Sequence, residues 1–367
     1  MSNLKFLRFI LLVCTLALLP DVYIWWRYAS GFPAPAMAVY AVSSVALALG
    51  LCTIFTDRLG WQLTLRLFFG SLLLIALPKA VFALCSVLMP WRAAAVAAGL
   101  ALMLVGYGFV WGWRRLCVRR ETFSFPDLPQ AFDGYRILHF SDLHIGSFIG
   151  HEDYIRRLVD VINSQECDLI AFTGDMVNLY TTEVEPFVDV LSRLSAPDGV
   201  YSILGNHDFG HREGTNADQR LMAIEQTMGW RVLMDEHVRL QRGQESIVLA
   251  GVQNAGSKAF FCRGDLKKAV SGTKNGDFIV LLSHTPTHWR REILPTTDIQ
   301  LTLSGHTHGG QLRLFGLSPA MRIYREWAGR YSERGRWLYV SQGIGGNFPF
   351  RMFAWPEITV VELKVAR

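Results

Sequence analysis

The stretch LSGHTHGGQLRLFG, residues 303–316, places His306 and His308 directly after an apolar run and follows them with two glycines. A buried strand gains nothing from two imidazoles, because a buried polar group costs free energy unless it is paired. An ordinary turn does not need two histidines either. The pair therefore indicates a binding site whose other members lie elsewhere in the chain.

The 367 residues fall into two parts of different composition, as a chain of this length often does. All ten histidines lie between His139 and His308, whereas residues 1–113 contain nine charged side chains and no histidine. We predict a transmembrane domain over 1–113, a basic juxtamembrane segment and linker over 114–133, and a soluble domain over 134–367.

Four apolar stretches in the first part have nearly the length needed to cross a bilayer. They cover about 6–26, 36–56, 65–89 and 93–113. Pro20, Pro78 and Lys79 interrupt two of them, which affects their boundaries more than their number. A cleaved signal peptide is the disfavoured alternative for the first stretch, because no small-residue cleavage site follows it. We predict an all-α bundle of about four transmembrane helices.

The distribution of lysine and arginine predicts the orientation of these spans. The run RRLCVRR, residues 114–120, carries four arginines behind the last span. The heavier basic count on the side of the termini predicts that both ends are cytoplasmic, at an inner or plasma membrane. These arginines could also contact anionic headgroups, so the net charge of +5 needs no nucleic-acid partner. The oligomeric state is not determined by the sequence.

The six cysteines show no CxxC or other paired spacing. This pattern predicts neither a disulfide framework nor a zinc ribbon.

Short β-rich runs alternate with helical patterns from Arg136 onward. Strand-like runs at 136–140, 168–174 and 200–205 are separated by two helical patterns, the second carrying Phe187, Val188, Leu191 and Leu194. Five further strand-like runs follow with less helix between them: SIVLAGV, FIVLLSH, IQLTLSGH, WLYVSQG and ITVVELK. We predict an α/β fold in which two sheets pack face to face and are flanked by helices.

Five of these runs end in polar residues able to bind a metal or a phosphate. In chain order they are Asp142, His144, Asp175, Asn178, Asn206, His207, Asp208, His284, His306 and His308. Each motif alone has a structural explanation, such as a helix cap or an Asx turn. Together, two aspartates, four histidines and one asparagine supply seven nitrogen and oxygen ligands without a thiolate, which suits two divalent cations sharing one carboxylate.

In this order and spacing, Asp-x-His, Gly-Asp-x-x-Asn, Gly-Asn-His-Asp, a lone His and Gly-His-x-His resemble the calcineurin-like metallophosphoesterases. The resemblance covers about residues 134–365. GHTHGGQLRL and the ending SQGIGGNFPFRMFAWPEITVVEL are similar to the membrane-associated bacterial branch. The resemblance implies a four-layer α/β sandwich of two mixed sheets flanked by helices. The N-terminal spans lie outside it.

The resemblance also implies a dinuclear metal site. The ligands of the first metal would be Asp142, His144 and His308, those of the second Asn206, His284 and His306, and the bridging ligand Asp175. A hydroxide held between the two metals would attack phosphorus. His207 would act as the general acid on the leaving oxygen. Manganese fits this ligand set best, with iron and zinc as alternatives.

Three further residues are predicted to support the site. Asp208 could orient His207 or cap the following loop. Asn178 stands where many relatives have a second aspartate, so we expect it to hydrogen-bond beside the metal ligands without titrating. Arg351 resembles a tail arginine of the membrane-associated relatives and could bind a substrate phosphate, or alternatively lie on the domain surface.

The quoted motif carries an expectation of its own. In an extended segment the side chains of His306 and His308 point the same way, so one short turn would supply a ligand to each metal. We expect Gly309 and Gly310 to leave the approach to the metals open and to tolerate unusual backbone angles.

Together these features predict a membrane-anchored phosphohydrolase that cleaves a phosphodiester or pyrophosphate bond. Membrane lipids would be partners and the phosphate ester would be lipid-linked, because a soluble ester gains nothing obvious from four spans. Aromatic and basic residues at 258–264 and 345–355 suit contact with headgroups, or alternatively pack between the sheets. The alternatives are a non-catalytic receptor or scaffold and a phosphomonoesterase or phosphoprotein phosphatase. Scattered basic residues disfavour a nuclease.

Overall fold

The computed structural model describes residues 3–55, 60–209, 216–256 and 263–366. Most of the predicted headgroup-contacting segment 258–264 therefore lies outside the described residues. The chain divides into two compact units. The first comprises Met1–Trp111 with Asn347–Pro349, and the second comprises Gly112–Gly346 with Phe350–Arg367.

The first unit is helical. Its helices are α1 (Asn3–Tyr28), α2 (Ala34–Cys52), α3 (Trp61–Ser71), α4 (Leu77–Leu88) and α5 (Trp91–Val110). Four segments of the described chain are long and apolar enough to cross a membrane: Ile10–Tyr28, Ala34–Phe55, Leu63–Leu88 and Trp91–Arg114. Their number is the one predicted from the sequence.

The prolines within the predicted spans do not break them. Pro20 lies inside α1. A single π-helical turn, Leu72–Ala76, joins α3 to α4 just before Pro78. Proline cannot donate a backbone hydrogen bond and crowds the preceding turn, and a wider π turn accommodates both effects. The third span is therefore one continuous helical segment.

Lys79, the charge that interrupts the third stretch, is paired. Its Nζ lies 2.5 Å from Asp21 Oδ1 and 2.8 Å from Ser44 Oγ. A charge inside an apolar bundle is costly unless it meets a partner, and here α1, α2 and α4 each supply one member of the group. The helical unit is thus held by polar contacts as well as by packing.

The described residues of the second unit form twelve strands. In chain order these are β1 (Cys117–Phe125), β2 (Arg136–Phe140), β3 (Leu169–Phe172), β4 (Val200–Ser202), β5 (Trp230–Val232), β6 (Glu236–Arg242), β7 (Glu245–Val252), β8 (Ile279–Ser283), β9 (Leu301–Ser304), β10 (Gly329–Glu333), β11 (Arg336–Val340) and β12 (Glu357–Val365). They form two six-stranded sheets, ordered β1-β12-β2-β3-β4-β5 and β10-β11-β9-β8-β7-β6. Both sheets are mixed: β12 is antiparallel to β2, and β6 and β10 are antiparallel to their neighbours.

Helices cover the outer faces of the two sheets. They are α6 (Glu152–Asn163), α7 (Val188–Leu191), α8 (Ala217–Thr227), α9 (Leu266–Ala269) and α10 (Leu294–Thr296). The apolar face of α6 packs in the same core as strand residues of the first sheet such as Ile170. Between the sheets, side chains such as Leu169 and Val280 form a second buried core. The predicted sandwich of two mixed sheets flanked by helices is confirmed.

Two predicted segments differ from the structure. Residues 114–133, predicted as a linker, contain β1, which pairs in parallel with β12. The charged residues of β1, Arg119–Glu121, are at least partly exposed, whereas Phe123 and Phe125 are buried, so the apolar pattern is confined to its second half. The predicted helix around 187–194 is shorter: a 3₁₀ segment, Thr181–Phe187, precedes α7 and contains Pro186, which cannot complete an α-helical ladder.

Glu225 provides a test of how α8 packs against the first sheet. The residue is fully buried, accepts a hydrogen bond from Ser202, and burial raises the pKa of its carboxyl group to about 8. In the unfolded chain the carboxyl group has its ordinary pKa of 4.5. Stability should therefore fall as pH rises between these values, by at most about 1.4 kcal/mol per pH unit.

The substitution Glu225→Gln should remove this part of the pH dependence. We expect the variant to gain stability relative to the wild type as the pH is raised from about 5 to about 8. Urea unfolding of the two proteins at both pH values measures the difference. An identical difference at the two pH values would contradict the expectation.

Candidate metal centre

The predicted metal ligands follow the carboxyl ends of strands. In the first sheet Asp142 follows β2, Asp175 follows β3 and Asn206 follows β4. In the second sheet His284 follows β8 and His306 follows β9. Loops at such strand ends can present side chains from a rigid scaffold to one place.

Four of the predicted ligands form a first cluster. Asp142, His144, Asp175 and His308 each offer one ligand atom, and these atoms lie within 4.8 Å of one another. His144 Nε2 is 3.6 Å from Asp175 Oδ2, and His308 Nε2 is 3.7 Å from Asp142 Oδ1. These separations are too long for hydrogen bonds. They suit atoms that share one cation, since ligand atoms about 2.0–2.2 Å from a metal lie roughly 3–4 Å apart.

A second cluster adjoins the first. Asp175, His284 and His306 again offer atoms within 4.8 Å of one another. His284 Nε2 lies 3.2 Å from Asp175 Oδ2, 3.2 Å from His306 Nδ1 and 3.2 Å from Asn206 Oδ1. Because Asp175 belongs to both clusters, its carboxylate occupies the bridging position.

The remote ring nitrogens of two histidines are held so that the other nitrogen faces the cluster. His284 Nδ1 lies 2.7 Å from the carbonyl oxygen of Thr173, so this nitrogen donates and Nε2 is the atom that faces the cluster. His306 is turned the other way: its Nε2 lies 3.0 Å from the hydroxyl of Tyr324, and Nδ1 faces the cluster. Such contacts fix the tautomer that a metal needs.

The ring of His144 shows that the site fits a cation. It is fully buried, yet neither ring nitrogen has a hydrogen-bond partner among the described residues. An unpaired buried polar group costs about 1–3 kcal/mol. Burial, reinforced by His207, lowers the pKa of His144 to about 3, so the ring is neutral and able to act as a ligand. Burial also raises the pKa of Asp142 to about 6, against the opposing effect of His284. A bound cation would relieve both penalties.

Five of the ligand residues have left-handed backbone angles. Their φ values are 51° at Asp142, 44° at His144, 59° at Asp175, 73° at His306 and 53° at His308. Non-glycine residues seldom adopt this region, and it persists where the surrounding structure imposes it. The expectation of an extended segment at 306–308 is therefore wrong, because both histidines are left-handed and Thr307 between them is right-handed.

Gly309 and Gly310 have the unusual backbone that the sequence led us to expect, with φ of 57° and 67°. We also expected the two glycines to leave the approach to the metals open, but the space beside them is filled by other side chains. A Cβ atom on Gly309 would meet the side chain of Gln342, and one on Gly310 would meet Ser318. The glycines allow two neighbouring segments to approach closely, which fixes the turn that carries His308.

Comparisons with known proteins agree with this geometry. Residues 135–310 match the family model described as calcineurin-like phosphoesterase. A Bacillus subtilis (strain 168) protein named uncharacterized metallophosphoesterase YkuE is 32% identical over 283 residues, which cover 74% of this chain and 94% of that protein. The chain belongs to the calcineurin-like metallophosphoesterases. The family and the Asp/His clusters together indicate a hydrolase with a dinuclear divalent metal site.

Two other matches are more distant. A Danio rerio protein named transmembrane protein with metallophosphoesterase domain is 29% identical over 248 residues, 65% of this chain and 55% of that protein. The solved structure of a phosphopantetheinyl hydrolase from Mycobacterium tuberculosis matches with a TM-score of 0.38 and 15% identity, over 59% of this chain and 91% of that chain. A structural likeness this distant says nothing about the substrate of the present metallophosphoesterase.

The predicted general acid of this metallophosphoesterase, His207, lies at the rim of the first cluster. Its ring centroid is 4.7 Å from that of His144, and its backbone N–H donates to Asp175 Oδ1 at 2.9 Å. His207 Nδ1 lies 2.7 Å from the carbonyl oxygen of Asn178. Because a carbonyl can only accept, Nδ1 carries a proton and Nε2 is the atom left for other chemistry.

Asn178 therefore acts through its main chain as well as its side chain. Its Nδ2 lies 3.1 Å from Ser147 Oγ and 3.3 Å from the carbonyl oxygen of Gly346. The side chain thus hydrogen-bonds beside the ligands, as we expected. The sequence motif does not show that the carbonyl of Asn178 would hold the histidine ring.

Asp208 does not orient the ring of His207, which contacts the carbonyl of Asn178. Most of the following loop, residues 210–215, lies outside the described residues, so its capping by Asp208 stays a prediction. Its buried carboxylate accepts from the backbone N–H groups of Gly205 and Asp175, each at 2.8 Å. It also accepts from Met176 at 2.8 Å and from Val177 at 3.2 Å. Asp208 thus holds together the two loops that carry Asp175 and His207.

Arg351 is also placed differently from both expectations. The residue is 1% exposed, so it does not lie on the surface. Its guanidinium donates to the carbonyl oxygens of Gln342 at 2.6 Å, Gly345 at 2.5 Å and His308 at 3.1 Å. The guanidinium therefore supports the backbone that carries His308 and does not extend toward a substrate phosphate.

Tyr324 is a site residue that the sequence pattern missed, because it lies in an irregular loop remote from the ligand motifs. The substitution Tyr324→Phe removes the hydroxyl that lies 3.0 Å from His306 Nε2 and holds the ring. We expect the affinity for the second metal to fall by roughly ten- to a hundredfold while the first metal stays bound. Calorimetric titration of the metal-free protein with manganese measures both sites.

Tyr331→Phe is the matched control for this prediction. The Tyr331 hydroxyl accepts from the backbone of Trp327 and Ala328, at 3.0 and 3.4 Å, and makes no contact with a ligand residue in these hydrogen bonds. Equal effects of the two substitutions on metal binding would show that Tyr324 does not position His306.

Proposed function

We propose that this metallophosphoesterase is anchored in a membrane and hydrolyses a phosphodiester or pyrophosphate bond of a lipid-linked substrate. The observation that carries the proposal is the carboxylate of Asp175, which is shared by two ligand clusters and also holds the backbone of His207. This arrangement joins a two-cation site to a nearby proton donor. A receptor that had lost turnover would have no need to keep both.

The ligand set suits manganese, with iron or zinc as the alternatives. It contains carboxylate and amide oxygens and imidazole nitrogens, and imidazole favours these metals over magnesium. Asp142, His144 and His308 would hold one cation and Asn206, His284 and His306 the other, with Asp175 between them. When bound, two such cations neutralise the charge of a phosphate group and lower the pKa of a water molecule that attacks phosphorus.

His207 would supply the proton that the leaving oxygen needs. Its Nδ1 is held by the carbonyl of Asn178, so protonation places the second ring proton on Nε2. The residue is only partly buried, and a substrate can therefore reach that atom. A positioned acid of this kind contributes about 10²- to 10⁴-fold to the rate of a reaction.

The helical unit supports the lipid-linked part of the proposal. Four described segments could cross a membrane, and one relative is named a transmembrane protein with a metallophosphoesterase domain. The arginines at 114–120 favour a cytoplasmic position for the phosphoesterase unit. A membrane anchor would hold that unit beside a phosphate that is itself confined to the bilayer.

Hydrolysis of bis(p-nitrophenyl) phosphate with added manganese tests the proposal. We expect turnover by the purified full chain, and a loss of about 10²- to 10⁴-fold in kcat for His207→Ala with unchanged metal content. His237→Ala is the matched control, because that ring contacts the carbonyl of Ala269 at 2.9 Å and no ligand residue in that bond. Full activity in His207→Ala would contradict its role.

Two further results would overturn parts of the proposal. A wild type that binds two metals but cleaves neither this diester nor p-nitrophenyl phosphate would favour a non-catalytic receptor. Activity on soluble esters with none on lipid-linked diesters or pyrophosphates in detergent would remove the lipid-linked substrate while leaving the hydrolase intact.

A further inference from the structure

The segment 311–325, which we call the apolar–basic loop, exposes an unusual amount of apolar side chain. Phe315 is 94% exposed, Ile323 73%, Leu317 65% and Met321 44%. Scattered exposed apolar residues are ordinary on a protein surface, but a contiguous group marks an interaction site. This group directly follows the turn that carries His306 and His308.

The backbone holds Phe315 at the tip of this loop. The N–H of Leu314 donates to the carbonyl of Leu317 at 2.8 Å, and the reverse bond is 2.9 Å, which closes a tight hairpin turn. Phe315 and Gly316 at its centre have φ of 49° and 81°. A bulky residue is uncommon in this region of φ, and nothing local requires a phenylalanine there. An apolar surface that buries the ring on contact would explain why a phenylalanine stands at this position.

The loop is also uniformly basic. Residues 311–325 contain Arg313, Arg322 and Arg325 and no aspartate or glutamate. The side chain of Arg325 is 74% exposed, and its Nε lies 3.7 Å from the buried carboxylate of Glu326, the residue that follows the loop. Apolar side chains interleaved with arginines are the pattern of segments that lie in the headgroup region of a bilayer, where the rings enter the apolar boundary and the cations meet anionic lipids.

The loop is fixed to the metal centre. Ser318 Oγ donates to the carbonyl of Gly309 at 2.8 Å, and the hydroxyl of Tyr324 lies 3.0 Å from His306 Nε2. The backbone of Arg313 donates to Met352 at 2.8 Å, and Phe353 beside it is 44% exposed. A surface that holds this loop would therefore also set the position of the site.

We propose that the apolar–basic loop is a docking surface for an anionic lipid bilayer. Phe315, Leu317 and Ile323 enter the interface, and the three arginines contact anionic headgroups. A bilayer is the occupant that fits, because the same chain carries four apolar segments long enough to span one. The inference concerns the surface alone and does not require that the substrate be a lipid.

Photocrosslinking in nanodiscs tests this inference without measuring hydrolysis. The full chain carries a benzophenone side chain at position 315, or at position 244 as the matched control. Gln244 is exposed in the hairpin between β6 and β7 and has no apolar neighbours of this kind in that turn. The nanodiscs contain phosphatidylcholine alone or with roughly a third phosphatidylglycerol, the anionic lipid that the arginines should attract.

We expect lipid adducts at position 315 to exceed those at position 244 several-fold, and to increase with phosphatidylglycerol. Arg322→Ser combined with Arg325→Ser should abolish that increase. Equal lipid labelling at the two positions would overturn the proposal. Cross-links from position 315 to peptide of the same chain or of a second copy, in place of lipid, would also overturn it, because the patch would then be a protein contact. Unchanged manganese binding verifies that each variant is folded.

Discussion

Asp175→Asn is expected to abolish phosphodiester hydrolysis, with a loss on the order of a thousandfold or more. One carboxylate serves both ligand clusters: Oδ2 lies 3.2 Å from His284 Nε2 and 3.6 Å from His144 Nε2. Although burial alone would raise it, the nearby His284 and His207 hold the pKa of Asp175 well below its usual range. The carboxylate of Asp175 is therefore charged. The amide of the Asn variant is neutral and has one oxygen ligand in place of two.

Metal content should fall together with activity in this variant. We expect Asp175→Asn to retain fewer than two metals after dialysis, as measured by elemental analysis. Oδ1 also accepts the backbone N–H of His207 at 2.9 Å, so the proton donor loses a support at the same time. Asp277→Asn is the control, because that carboxylate is paired with Arg239 at 2.7 Å. Two bound metals and wild-type turnover in Asp175→Asn would refute the bridging role.

Asp208→Asn is expected to lower the free energy of unfolding by about 2–4 kcal/mol. The buried carboxylate accepts four backbone N–H groups, from Gly205, Asp175, Met176 and Val177. An amide would turn its NH₂ group toward some of these donors and leave them unpaired. Since the four donors lie in the loops that carry Asp175 and His207, metal affinity should fall as well.

Asp235→Asn separates the two effects. Asp235 is also buried and accepts from the backbone of Gln253 and Asp265, at 2.9 and 3.0 Å, but it holds a loop without metal ligands. We expect both variants to be destabilised in denaturant titrations and only Asp208→Asn to bind manganese more weakly. Equal metal affinities would show that Asp208 stabilises the fold without shaping the site.

The clustering of the candidate metal ligands could be predicted from the sequence because each follows a short apolar run with strand propensity. Once the runs are paired as parallel strands, Asp142, Asp175 and Asn206 must meet at one edge. The backbone at these residues could not be predicted in the same way. The left-handed angles at His306 and His308 are imposed by neighbouring loops. The alternation of apolar and polar residues in the sequence does not indicate such angles.

The supporting residues were harder to place for a related reason. Asp208 and Arg351 are charged, and charge in a sequence indicates a surface or a ligand contact more often than a buried cap. In the structure both are buried, and each hydrogen-bonds to backbone groups of other loops. Tyr324 reaches His306 from an irregular loop. Such contacts depend on tertiary packing, which composition and periodicity do not report.

The pairing of β1 with β12 also has a consequence for how the protein is made. Cys117 emerges from the ribosome soon after the helical segments, but its partner in the sheet is Glu357. During translation, β1 and one edge of β2 therefore remain unpaired until β12 has been synthesised and can pair with both. An incomplete chain would present an open sheet edge throughout that interval, which is the kind of surface that other strands and chaperones bind. Synthesis of β12 is the step that ends that exposure.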